Sequence, residues 1–210
     1  MAPSTPAGHP VFAVLYRWLG ALGERTGFAE RRRRLLAAAE GTVVEIGAGT
    51  GLNFRHYPAG MEVVATEPDP HMLKAARKAA RKADAELTLK QAPAEALPLG
   101  DASVDTVVSI LVLCSVPDQA AALAEVNRVL RPGGGLLLVE HVRAADPAVA
   151  RRQDRRERFH VRYAGGCHPN RDTLRAIVAA GFDTAAVQRV TLPGTRITSP
   201  GIQGVARKPG

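Results

Sequence analysis

Short runs of apolar and mostly β-branched residues alternate along the chain with segments whose apolar residues recur at helical spacing. The runs predict strands, and the segments between them predict helices. The predicted strands are 42–46, 61–66, 87–90, 104–113, 136–140, 184–191 and 201–207. The predicted helices after the first strand are 52–57, 70–82, 118–130, 146–160 and 171–180. Such alternation is typical of an α/β fold with a parallel sheet and helices on both faces.

The two ends of the chain depart from this alternation. Residues 1–8 are rich in Pro, Ser and Gly and are expected to be loose. Two helices are predicted over 10–22 and 28–39, and Gly41 ends the second of them. The last two strands are separated by a connection containing Pro and Gly, which predicts a C-terminal antiparallel hairpin. Because no internal repeat or linker is visible, we expect a single domain over 9–210.

A glycine-rich turn carries the strongest chemical signal. The segment VVEIGAGTG places Gly47, Gly49 and Gly51 between the first strand and a predicted helix. Glycine permits a tight turn and lets a ligand approach the backbone, and a helix that follows offers free N–H groups. Glu67 lies at the end of the second strand, where a carboxylate can accept hydrogen bonds from both hydroxyls of a ribose. The sequence therefore predicts a nucleoside site at this edge of the sheet.

Two classes of ligand use this layout. A dinucleotide site requires Gly-x-Gly-x-x-Gly, but Leu52 stands where the third glycine is expected. S-adenosyl-L-methionine (SAM) carries no phosphate, and its methionine end needs backbone and polar contacts beside the turn. Glu45, just before the turn, is suited to orient that end through the loop or water. The pattern favours SAM and leaves the dinucleotide as the alternative.

The segments VVEIGAGTG, ATEPDP, AEALPLGDASVDTVVS and EVNRVLRPGG resemble, in order and spacing, the motifs of class I SAM-dependent methyltransferases. The resemblance covers 40–141 and implies a Rossmann-like fold with a mostly parallel seven-stranded sheet. It implies SAM as the cofactor and S-adenosyl-L-homocysteine as its product. The residues that it assigns to the cofactor lie at or near the carboxyl ends of the first four strands: Glu45, Gly47, Ala48, Gly49, Thr50, Gly51, Asn53, Glu67, Pro68, Ala94, Glu95 and Leu111.

A narrower resemblance concerns the methyl acceptor. The segments LVLCSVPDQ, VEHV, GGCHPNRDTL and LPGTRITSPGIQGVARKP are similar to the alkyl-thiol S-methyltransferases. This similarity implies transfer of a methyl group to the sulfur of a small-molecule thiol. Transfer to an oxygen or nitrogen of a small natural product, quinone or lipid head group stays open. The membrane members of that family carry a hydrophobic N-terminal anchor, which the residue pattern of this chain does not predict.

Several side chains are candidates for the acceptor side of the site. His141 follows the fifth strand and is the candidate catalytic residue, because it can take a proton from a thiol or orient it; holding the loop is its alternative role. Cys114, Cys167, His168 and Tyr16 are candidate substrate-binding residues, and Tyr16 belongs to a helical lid expected over 9–40. We expect no metal, because the adjacent Cys167 and His168 supply two ligands and a structural zinc site needs four.

Composition narrows the possible partners. The formal net charge is +8, and much of the excess comes from arginines in 31–34 and 151–158, which we interpret as solvated helix faces. Since no nucleic-acid-binding motif accompanies them, we expect no nucleic-acid partner. A SAM-sensing or nucleic-acid-binding module without turnover is a rival hypothesis. No apolar run is long enough to span a bilayer. Two cysteines without a disulfide framework favour a reducing cytoplasm. The oligomeric state stays open.

Overall fold

The computed structural model describes residues 27–210 and builds them around one seven-stranded sheet. The strands are β1 (Val43–Ile46), β2 (Glu62–Thr66), β3 (Glu86–Lys90), β4 (Val104–Ile110), β5 (Leu130–His141), β6 (Asp183–Thr191) and β7 (Pro200–Arg207). The helices are α1 (Ala29–Leu36), α2 (Pro70–Ala80), α3 (Gln119–Val129), α4 (Pro147–Tyr163) and α5 (Thr173–Ala179). Every strand predicted from the sequence is present.

The strand order is β3-β2-β1-β4-β5-β7-β6. Strands β1 to β5 pair in parallel, whereas β7 runs antiparallel to both β5 and β6. The α/β fold class, the mostly parallel sheet and the C-terminal hairpin are therefore confirmed. The order reverses at β1, with β2 on one side and β4 on the other, and ligands of open α/β sheets bind at such a switch point.

The central strands are buried on both faces, as their continuous apolar sequences predict. All four residues of β1 are buried, and six of the seven residues of β4 are buried. Strands of a parallel sheet covered by helices on both sides have this character. One apolar cluster, containing Leu123 and Ile177, packs on one side, and a second, containing Leu36 and Phe54, packs on the other. The sheet is thus a rigid base for the loops at its carboxyl edge.

Two predicted elements differ from the structure beside the glycine turn. The predicted helix over 52–57 is a single 3-10 turn, Phe54–His56, because Pro58 forces Tyr57 into an extended conformation with ψ of 145°. A six-residue segment is also too short for a stable α-helix. The predicted fourth strand ends at Ile110 instead of residue 113, since Leu111 adopts a φ of 60°. The chain therefore turns across the sheet edge earlier than expected.

The predicted helix over 10–22, with Tyr16, lies outside the described residues, and so does most of the expected lid. The described part of the expected lid, 27–40, contains α1 (Ala29–Leu36), which lies within the helix predicted over 28–39. Within 27–210, no helix combines the length and the apolar character that a membrane span requires.

Candidate active site

The turn after β1 depends on glycine at each of its three predicted positions. Gly47, Gly49 and Gly51 have φ values of 57°, 58° and 80°, a region that other residues enter at a cost of about 1–2 kcal/mol. A Cβ atom on Gly47 would lie 2.7 Å from the side chain of Val112. The turn therefore packs directly against the loop that leaves β4, so that the two loops form one surface.

Glu67 lies beside this turn, as its place at the end of β2 predicted. One carboxylate oxygen accepts a hydrogen bond from the Gly49 amide at 2.8 Å, and the other accepts one from the Asp69 amide at 2.9 Å. Burial raises the pKa of Glu67, and these two hydrogen bonds oppose the rise. Because a carboxylate has about four acceptor sites, two stay available for hydroxyl donors of a ligand.

Thr50 is the clearest sign that the turn is built for a ligand. Its side-chain hydroxyl is buried and has no hydrogen-bond partner among the residues that the structure describes. A buried polar group is normally paired, and an unpaired one costs about 1–3 kcal/mol. Thr50 directly follows Gly49, whose amide donates to Glu67, so the unpaired hydroxyl belongs to the same turn as the acceptor sites of Glu67. Both groups suit a polar nucleoside.

Glu45 and Asn53 form a buried polar network behind the turn. The Asn53 amide donates to one carboxylate oxygen of Glu45 at 2.8 Å, and the Tyr57 hydroxyl donates to the other at 2.7 Å. Arg32 of α1 donates to the Asn53 side-chain oxygen. Burial raises the pKa of Glu45 from 4.5 to about 7, while these hydrogen bonds and the charge of Arg32 oppose the rise. The network ties α1 to the glycine turn.

A prediction of pH dependence follows from Glu45. The unfolded chain releases this proton near pH 4.5, whereas the folded chain keeps it up to about pH 7. Because the folded state binds more protons between these values, the free energy of unfolding falls as the pH rises through them, by up to about 3 kcal/mol. Glu45→Gln does not titrate and should lack this fall. Urea unfolding of both proteins across this range measures the difference, and parallel curves would contradict the prediction.

The residues that the resemblance assigns to the adenine end lie on the loops after β2 and β3. Ala94 is buried, and Glu95 accepts a hydrogen bond from the Asp118 amide at 3.2 Å. The Gln91 side chain donates to the Pro68 carbonyl at 3.2 Å, which joins these two loops. These two loops therefore lie side by side at the carboxyl edge of the sheet.

Glu140, which the sequence analysis did not single out, positions the loop that carries Cys114. It is fully buried in β5, and its carboxylate accepts hydrogen bonds from the Ser109 hydroxyl at 2.7 Å and from the amides of Val112, Leu113 and Cys114 at 2.9–3.1 Å. Burial raises the pKa of Glu140, and these four donors oppose the rise. The carboxylate fixes the loop after β4. An acidic residue inside the apolar strand LLLVEHV is the signal that reveals it.

Three of the candidate acceptor-side residues meet at the carboxyl edge of β4 and β5. The Cys114 sulfur lies 3.6 Å from Nδ1 of His141, and the Cys167 sulfur lies 3.4 Å from the same nitrogen. The two sulfurs are 3.9 Å apart. His168 does not join them, because its imidazole pairs with Glu157 at 2.8 Å. We call Cys114, His141 and Cys167 the thiol–imidazole cluster.

The ionisation of this cluster is coupled. Hydrogen bonding between the two thiols raises the pKa of Cys114, with burial adding to the rise, and lowers the pKa of Cys167. Burial opposes protonation of His141, but the hydrogen bond with Cys114 and the charges of Cys114 and Glu140 outweigh it and raise its pKa. The first proton that the thiols release therefore comes from Cys167.

The loop that carries Cys167 and His168 docks on the loop after β4. The His168 amide donates to the Cys114 carbonyl at 2.7 Å, and the Arg171 guanidinium donates to the carbonyls of Leu113 and Val116 at 3.1 and 2.7 Å. Gly166, with a φ of 80°, leaves no room for a Cβ, which would lie 2.9 Å from the Ser115 carbonyl oxygen. The loop after α4 therefore packs directly on the loop after β4.

Comparisons with known proteins agree with this geometry. A family model described as a methyltransferase domain matches residues 44–138. Thiol S-methyltransferase TMT1A of Homo sapiens is 33% identical over an alignment of 213 positions, and the alignment covers 94% of this chain and 83% of that protein. Thiol S-methyltransferase TMT1B of Rattus norvegicus is 36% identical over 153 residues, covering 71% of this chain and 63% of that protein. A solved SAM-dependent methyltransferase from Methanosarcina mazei superposes with a TM-score of 0.61 at 23% identity, covering 80% of this chain and 92% of that one.

The fold, the glycine turn and these matches together show that the protein is a class I SAM-dependent methyltransferase. It is an enzyme whose cofactor is SAM. Within that class the chain belongs to the family that contains the two thiol S-methyltransferases. The resemblance stated from the sequence is thereby confirmed.

Proposed function

We propose that this enzyme transfers the methyl group of SAM to the sulfur of a small-molecule thiol. The observation that carries the proposal is the thiol–imidazole cluster, whose two thiols are buried at the carboxyl edge of β4 and β5. Its member Cys114 lies on the same loop as Val112, which packs against the glycine turn. The names of the two relatives point to the same acceptor. A cytoplasmic location and the absence of a nucleic-acid partner stay predictions from the sequence.

The residues proposed to hold SAM are those that line the glycine turn and its neighbours. Glu67 would accept hydrogen bonds from the ribose hydroxyls with its two free acceptor sites, and the unpaired Thr50 hydroxyl would contact the methionine end. Pro68, Ala94 and Glu95 would border the adenine. When bound, SAM supplies a methyl group on a positively charged sulfur, which is a strong electrophile.

The chemistry of a thiol acceptor suits what these residues provide. A thiolate that attacks a cationic methyl donor gives two neutral products, so charge disappears on the way to the transition state and a water-free surface favours the reaction. An ordinary thiol has a pKa of about 8.5, so a few per cent is ionised at neutral pH. His141 can hold or orient the remaining proton at Nδ1. The protein then has to align the two sulfurs around the methyl group, with reacting atoms about 3 Å apart.

A panel of acceptors tests this function. The purified enzyme is incubated with SAM and, separately, with an alkyl thiol, a phenol and a primary amine, and products are detected by mass. We expect the thiol to gain one methyl group and the other two to be unchanged. Methylation of the phenol or the amine with none of the thiol would overturn the sulfur assignment and support the oxygen or nitrogen alternative. A melting-temperature increase with S-adenosyl-L-homocysteine confirms that the protein used is folded and binds the cofactor.

A further inference from the structure

The thiol–imidazole cluster is the one group of three metal-ligating side chains that lie within 4.8 Å of one another in residues 27–210. Its members come from three separate segments, which are the loop after β4, the end of β5 and the loop after α4. The sequence analysis weighed only Cys167 with its neighbour His168 as a metal pair. In the structure, Cys167 lies beside His141 and Cys114 instead, and His168 is not part of the group.

The triangle of ligand atoms has the size that a tetrahedral zinc ion requires. Zinc binds sulfur at about 2.3 Å and imidazole nitrogen at about 2.0–2.1 Å, which places two sulfurs about 3.8 Å apart and a sulfur and nitrogen about 3.6 Å apart. The corresponding distances here are 3.9 Å between the sulfurs and 3.6 and 3.4 Å from the sulfurs to Nδ1 of His141. An ion fits with shifts of only a few tenths of an ångström.

We propose that Cys114, His141 and Cys167 bind a zinc ion whose fourth position takes the sulfur of the acceptor. The role of the fourth position rests on the proposed thiol methylation, whereas the ion's binding does not. Two thiolates balance the charge of the ion, and soft sulfur with imidazole nitrogen is a donor set that zinc prefers. Three protein ligands with one open position are typical of catalytic zinc sites.

The backbone around the cluster is fixed before any ion binds. The Cys114 amide donates to Glu140, and the Cys114 carbonyl accepts from His168, so this residue is held from both sides. The Ser115 hydroxyl lies 3.5 Å from the Cys114 sulfur, where it can donate to a thiolate. Such outer contacts orient ligands and strengthen metal binding. In the zinc-bound form the ring proton of His141 lies on Nε2 and Nδ1 binds the ion, so the ion takes over the role described above for a proton at Nδ1.

The chemistry of the step is balanced without an added reactant. A thiol that binds the ion loses its proton to solvent, because a metal cation deprotonates a coordinating thiol. Its sulfur then attacks the methyl carbon of SAM, and the new carbon–sulfur bond forms as the bond to the cationic sulfur breaks. The products are a methyl thioether, S-adenosyl-L-homocysteine and the released proton. The neutral thioether is a weak ligand and leaves the ion.

Cobalt binding tests the site without reference to activity. The protein is reduced with a reagent that contains no thiol, freed of metal with a chelator and titrated with Co²⁺. We expect one ion per chain, a sulfur-to-cobalt charge-transfer band and the strong visible bands of tetrahedral cobalt, all removed by added Zn²⁺. Cys114→Ser and Cys167→Ser should each weaken binding by more than about 100-fold, since loss of an outer contact alone costs 10–100-fold. His160→Ala, which removes an imidazole on α4 outside the cluster, should bind as wild type does.

Several results would overturn the proposal. It fails if the reduced wild type shows no charge-transfer band, or if the band survives in both serine variants while their melting temperatures match that of wild type. Addition of an alkyl thiol should shift the visible cobalt bands, and unchanged bands would remove the role of the fourth position. If the metal-free enzyme methylates the thiol at the full rate, the zinc step is wrong and the proposed function stands. If the protein binds the metal but does not methylate a thiol, the metal site stands and the proposed function is wrong.

Discussion

Replacement of Glu140 with alanine is expected to lower the free energy of unfolding by about 4 kcal/mol or more, which is the largest effect on stability that we predict. The fully buried carboxylate accepts hydrogen bonds from the Ser109 hydroxyl and from three successive amides of the loop after β4. Each buried donor that loses its acceptor costs about 1–3 kcal/mol, and the substitution removes the acceptor of all four. The loop that carries Cys114 should also shift, and a displacement of about 1 Å in such a site lowers turnover by about 100-fold. Urea unfolding and the rate of methyl transfer measure the two effects.

Two further variants serve as controls for the Glu140 prediction. Glu140→Gln preserves the shape and one acceptor oxygen but turns an amide N–H₂ toward a backbone donor, so its loss of stability should fall between those of wild type and the alanine variant. Glu86→Ala removes an exposed carboxylate from the edge strand β3 and should change stability by no more than about 0.5 kcal/mol. If the Glu140→Ala protein unfolds within about 1 kcal/mol of wild type, the hydrogen bonds seen at Glu140 are not supporting the loop.

The features that local sequence determines were predictable. Strands β1 and β4 are apolar runs with β-branched residues, so their places in the chain follow from the residue pattern. The glycine turn and Glu67 follow β1 and β2, which are neighbouring parallel strands whose carboxyl ends meet at one edge of the sheet. A cofactor site composed of these elements is therefore visible before any three-dimensional information.

Features that need distant segments were not predictable in the same way. Glu140 contacts residues 109–114, and the thiol–imidazole cluster joins side chains that are 26 to 53 positions apart. Placing Cys167 against Cys114 depends on where the loop after α4 returns to the sheet, which no periodicity specifies. The buried pairing of Arg32 with Asn53 likewise depends on how α1 packs behind the turn.

Boundaries differed where backbone chemistry overrides side-chain pattern. The apolar sequence continues from β4 through Leu113, but the positive φ of Leu111 ends the strand and allows the next amides to reach Glu140. Strand β5 begins at Leu130, earlier than the predicted residue 136, because Leu130 pairs with Val104 across an irregular register before the regular ladder starts at Gly135.

Glu67→Ala is expected to weaken SAM binding by about 100-fold or more. The proposed ribose hydroxyls would lose two hydrogen bonds to a charged acceptor, each worth about 1.5–3 kcal/mol, and each 1.4 kcal/mol is a factor of ten in affinity. The glycine turn would also lose the bond that fixes the Gly49 amide. Titration calorimetry with S-adenosyl-L-homocysteine measures the change, since this product is expected to occupy the same site.

Two further variants separate the charge of Glu67 from its place in the fold. Glu67→Gln keeps one acceptor oxygen and should bind more tightly than the alanine variant but more weakly than wild type. Glu62→Ala, at the exposed opposite end of the same strand, should bind as wild type does because it lies away from the carboxyl edge of the sheet. Affinity of the folded Glu67→Ala protein within a factor of about three of wild type, well under the tenfold that 1.4 kcal/mol represents, would show that the ribose is held elsewhere. The carboxylate would then serve the turn alone, and the free acceptor sites on Glu67 would have no ligand.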